Sequence, residues 1–260
     1  MKKYAKIWWL LAGNASQSSI ASRFGAFILV TGKILRFSFF LFFLTIISTQ
    51  IKHIAGYTQW QIIFFYLTYQ LMDTLPQFFM REVYNFRRYV VSGDFDYFLL
   101  RPFSPLFRSL FGGTDILDLP MLCISVVAIG VTISHLMNIT AVDILIYILL
   151  LLNAFVIAVS FHILILSLGV VTTEIDNATM LYRDLTAMGR VPVDVYKEPL
   201  HSVITFIIPV GIMMTIPAKA LMGVLQPSIL LIALLLCVVL FVVSFRCWQS
   251  ALRFYSSASS

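Results

Sequence analysis

Charged residues are scarce in this chain of 260 residues. They make up 12% of the sequence, whereas 60% of the residues are hydrophobic and the mean hydropathy is +0.94. A soluble domain carries roughly a quarter charged residues, and half that level cannot cover a surface exposed to water. The composition therefore excludes a soluble globular protein and indicates an integral membrane protein.

Motifs that bind nucleotides or perform catalysis are also missing. The nearest approach to the loop G-x-x-x-x-G-K-[ST], at residues 31–34, lacks the first glycine and the final hydroxyl, and no H-E-x-x-H, G-x-S-x-G or C-x-x-C is present. The three cysteines lie in apolar runs without metal-ligand spacing, so we interpret them as small core residues. We expect this chain to be no enzyme and to hold no metal or cofactor.

Long apolar runs are what the sequence does contain. An apolar helix needs about 20 residues to cross the hydrocarbon of a bilayer. The run at residues 142–172 is longer, which indicates either strong tilt or more than one element. We predict an all-α membrane protein, a single transmembrane domain over residues 1–260 with six transmembrane helices. The predicted spans are residues 27–51, 59–80, 116–136, 142–172, 203–218 and 228–248.

The N-terminal segment, residues 1–24, resembles a signal peptide only superficially. Its apolar core, residues 7–12, is shorter than the apolar region of a signal peptide. Trp8 and Trp9 are residues that prefer the membrane interface. We therefore predict an amphipathic helix that lies on the inner face of the membrane and contacts lipid.

Lysine and arginine are distributed asymmetrically. Six of them precede or open the first span, five lie between the second and third spans, and two follow the last span. Only Lys52 and Lys219 fall in predicted outer loops. Basic residues accumulate on the cytoplasmic side of membrane proteins, so we expect both termini in the cytoplasm. This distribution also accounts for the net charge of +6 without nucleic acid as a partner.

Two interpretations of residues 173–200 remain open. In one, the segment is a cytoplasmic connector before a short fifth span. In the other, residues 175–188 form a weak fifth span that is shielded from lipid, and residues 192–218 form a re-entrant hairpin on the outer side. Polar residues are tolerated at membrane depth where they face protein or a water-filled cavity. Both interpretations leave six crossings.

One polar segment, residues 81–108, separates the second and third spans; we call it the polar island. It contains five arginines and three acids. Gly93 and Asp94 form a turn signal, and proline at position 102 disfavours helix at Arg101. The pattern predicts a short helix that lies in the membrane interface between rigid turns. The alternative, a solvated basic loop that only fixes topology, does not explain the ordered alternation of aromatic and turn residues.

Buried charge is limited to one candidate. Asp73 lies deep in the second predicted span, and an acid at this depth is a functional candidate because its insertion is costly. We interpret it first as a structural partner of Arg36 or of a backbone amide. A stand-alone secondary transporter or channel, the alternative function, predicts several buried charge pairs. An intramembrane enzyme requires a cluster of polar residues around His162, and the sequence offers none.

The polar island resembles a known family. It begins with Arg81-Glu82 and continues, about ten residues later, with GDFDYFLLRPFSPL. This pattern resembles the cytoplasmic loop of exporter-type ATP-binding-cassette (ABC) permeases of the second permease superfamily. The segment RVPVDVYKEPL and the prolines that follow it are similar to the stretch before the last span in that superfamily, and the tail RFYSSA at residues 253–258 matches a bacterial group. Residues 173–190 are more polar than a typical fifth span.

The resemblance implies the permease subunit of an ATP-driven exporter in a bacterial inner membrane. Such a subunit forms the translocation pathway with a second permease, identical or related, and is coupled to separate ATPase subunits by a coupling helix in the island. The apolar, aromatic spans favour a hydrophobic drug, peptide or lipid-like substrate. The resemblance assigns ATPase docking to Arg81, Glu82, Arg87, Arg88, Gly93, Asp94, Asp96, Arg101 and Pro102, and the translocation path to Asp73, Pro192, Tyr196, Pro209 and Pro217.

Overall fold

The computed structural model describes residues 2–50, 55–137, 139–172 and 174–255, and every regular element in these ranges is helical. Lys52 and the tail residues 256–258 lie outside the described residues. The α-helices are α1 Lys2–Ile20, α2 Arg23–Gln50, α3 Gln59–Phe79, α4 Phe86–Val91, α5 Phe95–Leu100, α6 Pro105–Phe111, α7 Leu119–Ile133, α8 Ala141–Thr172, α9 Ile175–Ala187, α10 Leu200–Ser202, α11 Ile216–Leu221 and α12 Pro227–Phe254. Short 3-10 turns occupy Arg81–Asn85, Ile116–Asp118, Met188–Arg190 and Val193–Val195, and π-helical turns occupy Val203–Ile207 and Gly211–Thr215.

Four described helices are long and apolar enough to cross a membrane: α2, α7 with the turn before it, α8 and α12. A fifth arises if the pieces Leu200–Ile207 and Gly211–Leu221, which meet at 74°, count as one span. The all-α, multi-pass membrane architecture predicted from the sequence is therefore confirmed, whereas the count of six is not. The run at residues 142–172 forms one continuous helix, about 48 Å long at 1.5 Å per residue.

The centre of the bundle is α3, which packs against α2, α7 and α8. Its side chains are largely buried, among them Phe64, Leu67 and Met72. Because protein surrounds it, α3 can carry Gln70 and Asp73, which make it less apolar than a helix that faces lipid. The most extensive helix pair does not involve α3 and is formed by α8 with α12. In this pair, the Asn153 amide of α8 donates a hydrogen bond of 3.3 Å to the carbonyl of Ala233 in α12.

The chain from α9 to α11 connects the two ends of the bundle. At one end, Ile175 packs against Gly169 of α8, close to Phe86 of the polar island. At the other end, the Lys219 ammonium lies 2.6 Å from the Asp194 carboxylate.

The two pieces Leu200–Ile207 and Gly211–Leu221, which we call the bent pair, begin and end near the end of the bundle that contains Asp194. The bend between them lies deeper in the bundle. The Tyr57 hydroxyl donates a hydrogen bond of 3.1 Å to Asp194, and the backbone N–H of Val193 donates one of 3.1 Å to Thr215. Around the bend, Ile208 lines an apolar pocket of about 190 Å³ together with Leu168 of α8. A bent pair of this kind is either a broken span or a re-entrant loop, so the hairpin at residues 192–218 stays a prediction.

A glycine controls the contact between α8 and α9. A Cβ added at Gly169 would lie 2.2 Å from Cγ1 of Ile175, which is fully buried. We expect Gly169→Ala to destabilise the protein by about 1–3 kcal/mol, because overpacking displaces α9. The measurement is the melting temperature in detergent. Gly130→Ala is the matched control, since open space surrounds Gly130 in α7. A Gly169→Ala variant as stable as this control, or one that Ile175→Ala fails to rescue, would contradict the packing argument.

Candidate functional site

The polar island is organised around the buried carboxylate of Glu82. Oε1 of Glu82 lies 2.6 Å from Nη1 of Arg108 and accepts a hydrogen bond of 2.8 Å from the Tyr89 hydroxyl. A Cβ at Gly113 would lie 2.5 Å from Oε2, so a larger residue there would displace this carboxylate oxygen. A buried charge must be paired and hydrogen-bonded to be tolerated. Glu82 therefore fastens α6 to the start of the island rather than facing solvent.

An aromatic cluster fixes α4 and α5 to the end of α12. Phe86 and Phe95 are fully buried, and their ring centroids lie 5.0 Å apart in an edge-to-face arrangement. The ring of Phe95 also meets Trp248 at 6.2 Å and Tyr255 at 5.1 Å. Burial and the neighbouring Asp96 carboxylate raise the pKa of Tyr255 to about 12. Such aromatic pairs stabilise a contact beyond the area they bury, so the two short helices have a rigid base.

The turn between α4 and α5 forms where the sequence predicts it. Gly93 adopts a positive φ of 80°, a conformation that disfavours residues with a Cβ. The Ser92 hydroxyl donates a hydrogen bond of 2.7 Å to the Asp94 carboxylate. Helix α5 ends before Arg101, whose backbone is extended ahead of Pro102. The predicted single helix is in fact a pair of helices, followed by α6.

The outer face of this helix pair is an exposed ridge of apolar and basic side chains. Leu100 is 81% exposed, Tyr97 63% and Val91 59%, and Arg88 and Arg101 are exposed beside them. We call these five residues the island ridge. Clustered exposed apolar residues with arginine are typical of protein-binding surfaces.

Two further docking candidates make contacts within the chain. Nε of Arg87 lies 3.8 Å from a carboxylate oxygen of Asp176, and both side chains are more than half exposed. Exposed pairs of this kind contribute little to stability, so Arg87 remains accessible to a partner. Nε of Arg81 lies 3.7 Å from Oδ2 of Asp115, at the base of α3. Both contacts connect the island to neighbouring helices.

Helix α1 lies against the island. The Lys3 ammonium donates a hydrogen bond of 2.9 Å to the carbonyl of Pro102, and the ring of Tyr4 meets that of Phe107 at 4.9 Å. Trp9 is 73% exposed. The predicted interfacial helix over residues 1–24 is thus a described helix over Lys2–Ile20 that contacts the island.

A charged cavity of about 450 Å³ lies between α2, α3, α9 and the turn before α7. Nζ of Lys33 lies 2.6 Å from Asp118 and 3.6 Å from Asp115, and Nη2 of Arg36 lies 4.0 Å from Asp73. The expected contact between Arg36 and Asp73 is therefore present. The ionisable side chains that line the cavity are Lys33, Arg36, Arg81, Arg183, Asp73, Asp115 and Asp118.

A second cavity of about 390 Å³ adjoins the first and has aromatic walls. Its lining includes the rings of Phe39, Phe43 and Tyr66 and the guanidinium of Arg190. Nε of Arg190 donates a hydrogen bond of 3.4 Å to the hydroxyl of Tyr69. We call this space the aromatic cavity.

The other residues assigned to the translocation path lie elsewhere. Pro192, Tyr196, Pro209 and Pro217 belong to the chain from the end of α9 through the bent pair, and none of them lines the charged or the aromatic cavity. The Tyr196 hydroxyl donates a hydrogen bond of 3.0 Å to the carbonyl of Met188. Of the predicted path residues, Asp73 alone lines the charged cavity. Within the described residues, no group of three or more histidines, cysteines or acids is placed to hold a metal ion.

Sequence reasoning overlooked most of the charged cavity. Lys33 and Asp118 are 85 residues apart, and nothing local to either residue indicates the contact. A weak signal existed in two pairs at helical spacing, Lys33 with Arg36 and Asp115 with Asp118. When two predicted spans carry opposite charges at the same spacing and the same depth, the charged residues are candidates for contact between the two helices.

Apolar helices long enough to cross a membrane, with a charged cavity between them, are the features of a multi-pass membrane protein. Residues 34–259 match the family model described as ABC-2 family transporter protein. Because this match covers most of the chain, the protein belongs to the ABC-2 transporter family and is a membrane permease component of an ABC transporter. No curated protein and no solved structure matches the chain.

The buried ion pair of Glu82 should be essential for the fold of the island. We expect Arg108→Met to destabilise the protein by about 3–5 kcal/mol, because it leaves a buried carboxylate unpaired. The measurement is the melting temperature in detergent. The matched control is Arg87→Met, which removes an exposed partner and should cost under about 1 kcal/mol. Adding Glu82→Gln should restore part of the loss, and equal effects of the two arginine variants would contradict the assignment.

Proposed function

We propose that this chain is the permease subunit of an ATP-driven exporter, and that separate ATPase subunits act on it through the polar island. Membership of the ABC-2 family supports association with ABC ATPases in general. The observation that carries the coupling proposal is the exposed island ridge on a rigidly packed base. A permease without a nucleotide-binding motif must receive the energy of ATP mechanically.

The base of the ridge connects it to several helices of the bundle. Phe95 packs on Trp248 of α12, Arg87 pairs with Asp176 of α9, and Glu82 lies one turn beyond the end of α3. A push on the ridge therefore reaches the ends of three long segments. Packed cores respond to such a push by shifting as units rather than by deforming. In this proposal, closure of the ATPase dimer rocks the helices that line the two cavities.

We infer six crossings, in which α3 and α9 supply two that apolarity alone does not support. Protein covers α3 on most sides. Helix α9 begins beside Gly169 of α8, the turn after it contacts Tyr69 of α3, and the chain then continues to Asp194 at the other end of the bundle. The bent pair then serves as the outer hairpin. With the island in the cytoplasm, as the distribution of basic residues favours, both termini are cytoplasmic. A bacterial inner membrane is the location that the sequence resemblance implies.

A second permease, identical or related, completes the pathway in this proposal. Helix α2 is only lightly covered within the chain, because 11% of its most apolar window is buried. Phe39 and Phe43 are exposed on it beside the aromatic cavity. A second permease opposite α2 would enclose the two cavities between the subunits.

An ion-coupled transporter is the second candidate, favoured by the pairs Lys33–Asp118 and Arg36–Asp73. Buried charge pairs are what such a transporter needs. The family match favours the ATP-driven candidate. The two are separated by transport in sealed vesicles: substrate movement by this chain alone, driven by an ion gradient, supports the second candidate.

Reversal of polarity on the island ridge should abolish ATPase binding. We expect Leu100→Asp combined with Arg101→Glu to lower the yield of co-purified ABC ATPase subunit at least about tenfold, as loss of interface anchors does. The ATPase is identified by mass spectrometry and by its ATP hydrolysis. Lys197→Glu, an exposed charge reversal at the other end, is the matched control. Retention of the ATPase by a normally folded double variant would count decisively against the docking role.

The orientation is testable with single cysteines at the two ends. In a variant whose three native cysteines are replaced, Ser92→Cys lies beside the ridge and Gln226→Cys lies before α12, both at exposed positions. A membrane-impermeant maleimide should label Gln226→Cys in intact cells and Ser92→Cys only after permeabilisation. Labelling of Ser92→Cys in intact cells would place the island outside and defeat the coupling proposal.

A further inference from the structure

The charged cavity and the aromatic cavity lie side by side, and we call the two together the groove. Arg36 and Gln70 line both of them, so the two spaces share a wall. Each has a volume within the range of roughly 300–1,000 Å³ that is typical of ligand pockets. The groove runs between α2 and α3 and is bordered by Arg183 and Arg190 from the α9 segment.

Positive charge exceeds negative charge along the groove. Its lining carries five basic groups and three acidic groups, which gives an excess of two positive charges. Near the island, Lys33 and Arg81 are balanced by Asp115 and Asp118. The excess therefore lies further along, around Asp73.

Three arginines share the single carboxylate of Asp73 in this part of the groove. Arg36 approaches it only to 4.0 Å. Among the described residues, neither Arg183 nor Arg190 forms an ion pair. Arg190 is partly buried and has a tyrosine hydroxyl as its hydrogen-bond partner. An unneutralised guanidinium in a partly buried site is costly unless an anion accompanies it.

The aromatic walls beside these arginines suit a hydrocarbon chain. Phe39 and Phe43 are 69% and 53% exposed along α2, and Phe40 lies under the guanidinium of Arg190 at 5.9 Å. Guanidinium groups bind phosphate and carboxylate through paired hydrogen bonds, more tightly than neutral donors do. The groove thus places anion-binding groups next to an apolar surface.

We infer that this groove binds an amphiphile with one anionic head group, a phosphate, carboxylate or sulfonate. Arg36 and Arg190 hold the head group, and its hydrocarbon chain lies along Phe39 and Phe43. This inference rests on the proposed function, because it names the class of molecule that the permease would transport. Asp73 competes with the head group for Arg36 and so limits the affinity.

Binding is measured without any ATPase, so failure here leaves the coupling proposal untouched. The purified chain in phosphatidylcholine nanodiscs is titrated with dodecyl phosphate, and dodecyl trimethylammonium is the probe of opposite charge. We expect selective binding of the phosphate, weakened about tenfold by Arg190→Gln, since a hydrogen bond to a charged group is lost. Arg190→Lys should restore part of the affinity. Arg246→Gln, at an exposed arginine of α12, is the matched control.

The Asp73→Asn variant separates binding from folding, because it should tighten binding of dodecyl phosphate several-fold by removing the competing charge. A misfolded variant cannot give this gain. Equal binding of the two probes, or an affinity that neither Arg190→Gln nor Asp73→Asn changes as a single variant, would overturn the inference. Adding phosphatidylglycerol to the nanodiscs distinguishes the sources of the ligand. Competition by that lipid assigns the groove to bilayer lipid, and resistance to it assigns the groove to a single-chain cargo, with anion binding supported in both cases.

Discussion

The cost of an uncovered charge at membrane depth determines how this bundle is arranged. Lipid provides no hydrogen bonds, so an ionised side chain there must be paired or face a wet cavity. Asp73 on α3 and Lys33 on α2 satisfy this requirement in the charged cavity, where Asp73 lies 4.0 Å from Arg36 of α2 and Lys33 lies 2.6 Å from Asp118 in the turn before α7. Helices α8 and α12 have only Asp143, Arg246 and Arg253 as acidic or basic residues besides His162, and they expose Val, Leu and Ile outward. The polar helices consequently lie inside or beside a cavity, and the apolar ones form the outer wall.

The same constraint gives the polar island its stiffness. Its one buried carboxylate, Glu82, is held by Arg108 and Tyr89, and its buried aromatic rings pack on the end of α12. Of the other charges of the island, those of Arg88 and Arg101 are exposed on the ridge. A surface that transmits force needs a base that does not yield, and close-packed interiors transmit strain. Charge therefore stabilises the island where it is buried, and in the proposed function the exposed charges recognise the ATPase.

Features that depend on neighbouring residues were predictable, and those that depend on distant ones were not. The bounds of α8 and the start of α12 follow from apolar runs, although α12 continues to Phe254, beyond the predicted end at residue 248. The turn at Gly93 follows from local backbone preference. Helix α6 was not anticipated. Ser104 is its N-cap and Pro105 its first residue, which is a favourable start for a helix. The contact between Lys33 and Asp118 joins segments far apart in sequence, and no periodicity encodes it. Helix α9 was ambiguous because protein covers only part of it.

The placement of Asp73 connects the energy input of the proposed cycle to the groove. Its carboxylate is on α3, which leads directly into the island, whereas its partner Arg36 is on α2. The attraction between two charges falls inversely with distance, and solvent around the half-exposed Arg36 side chain weakens it further. When the ridge is pushed, a shift of α3 against α2 changes this attraction. An arginine released from Asp73 binds an anionic head group more tightly, and one drawn back to Asp73 releases it. In this proposal, a small movement at the island would change the affinity of the groove for its ligand.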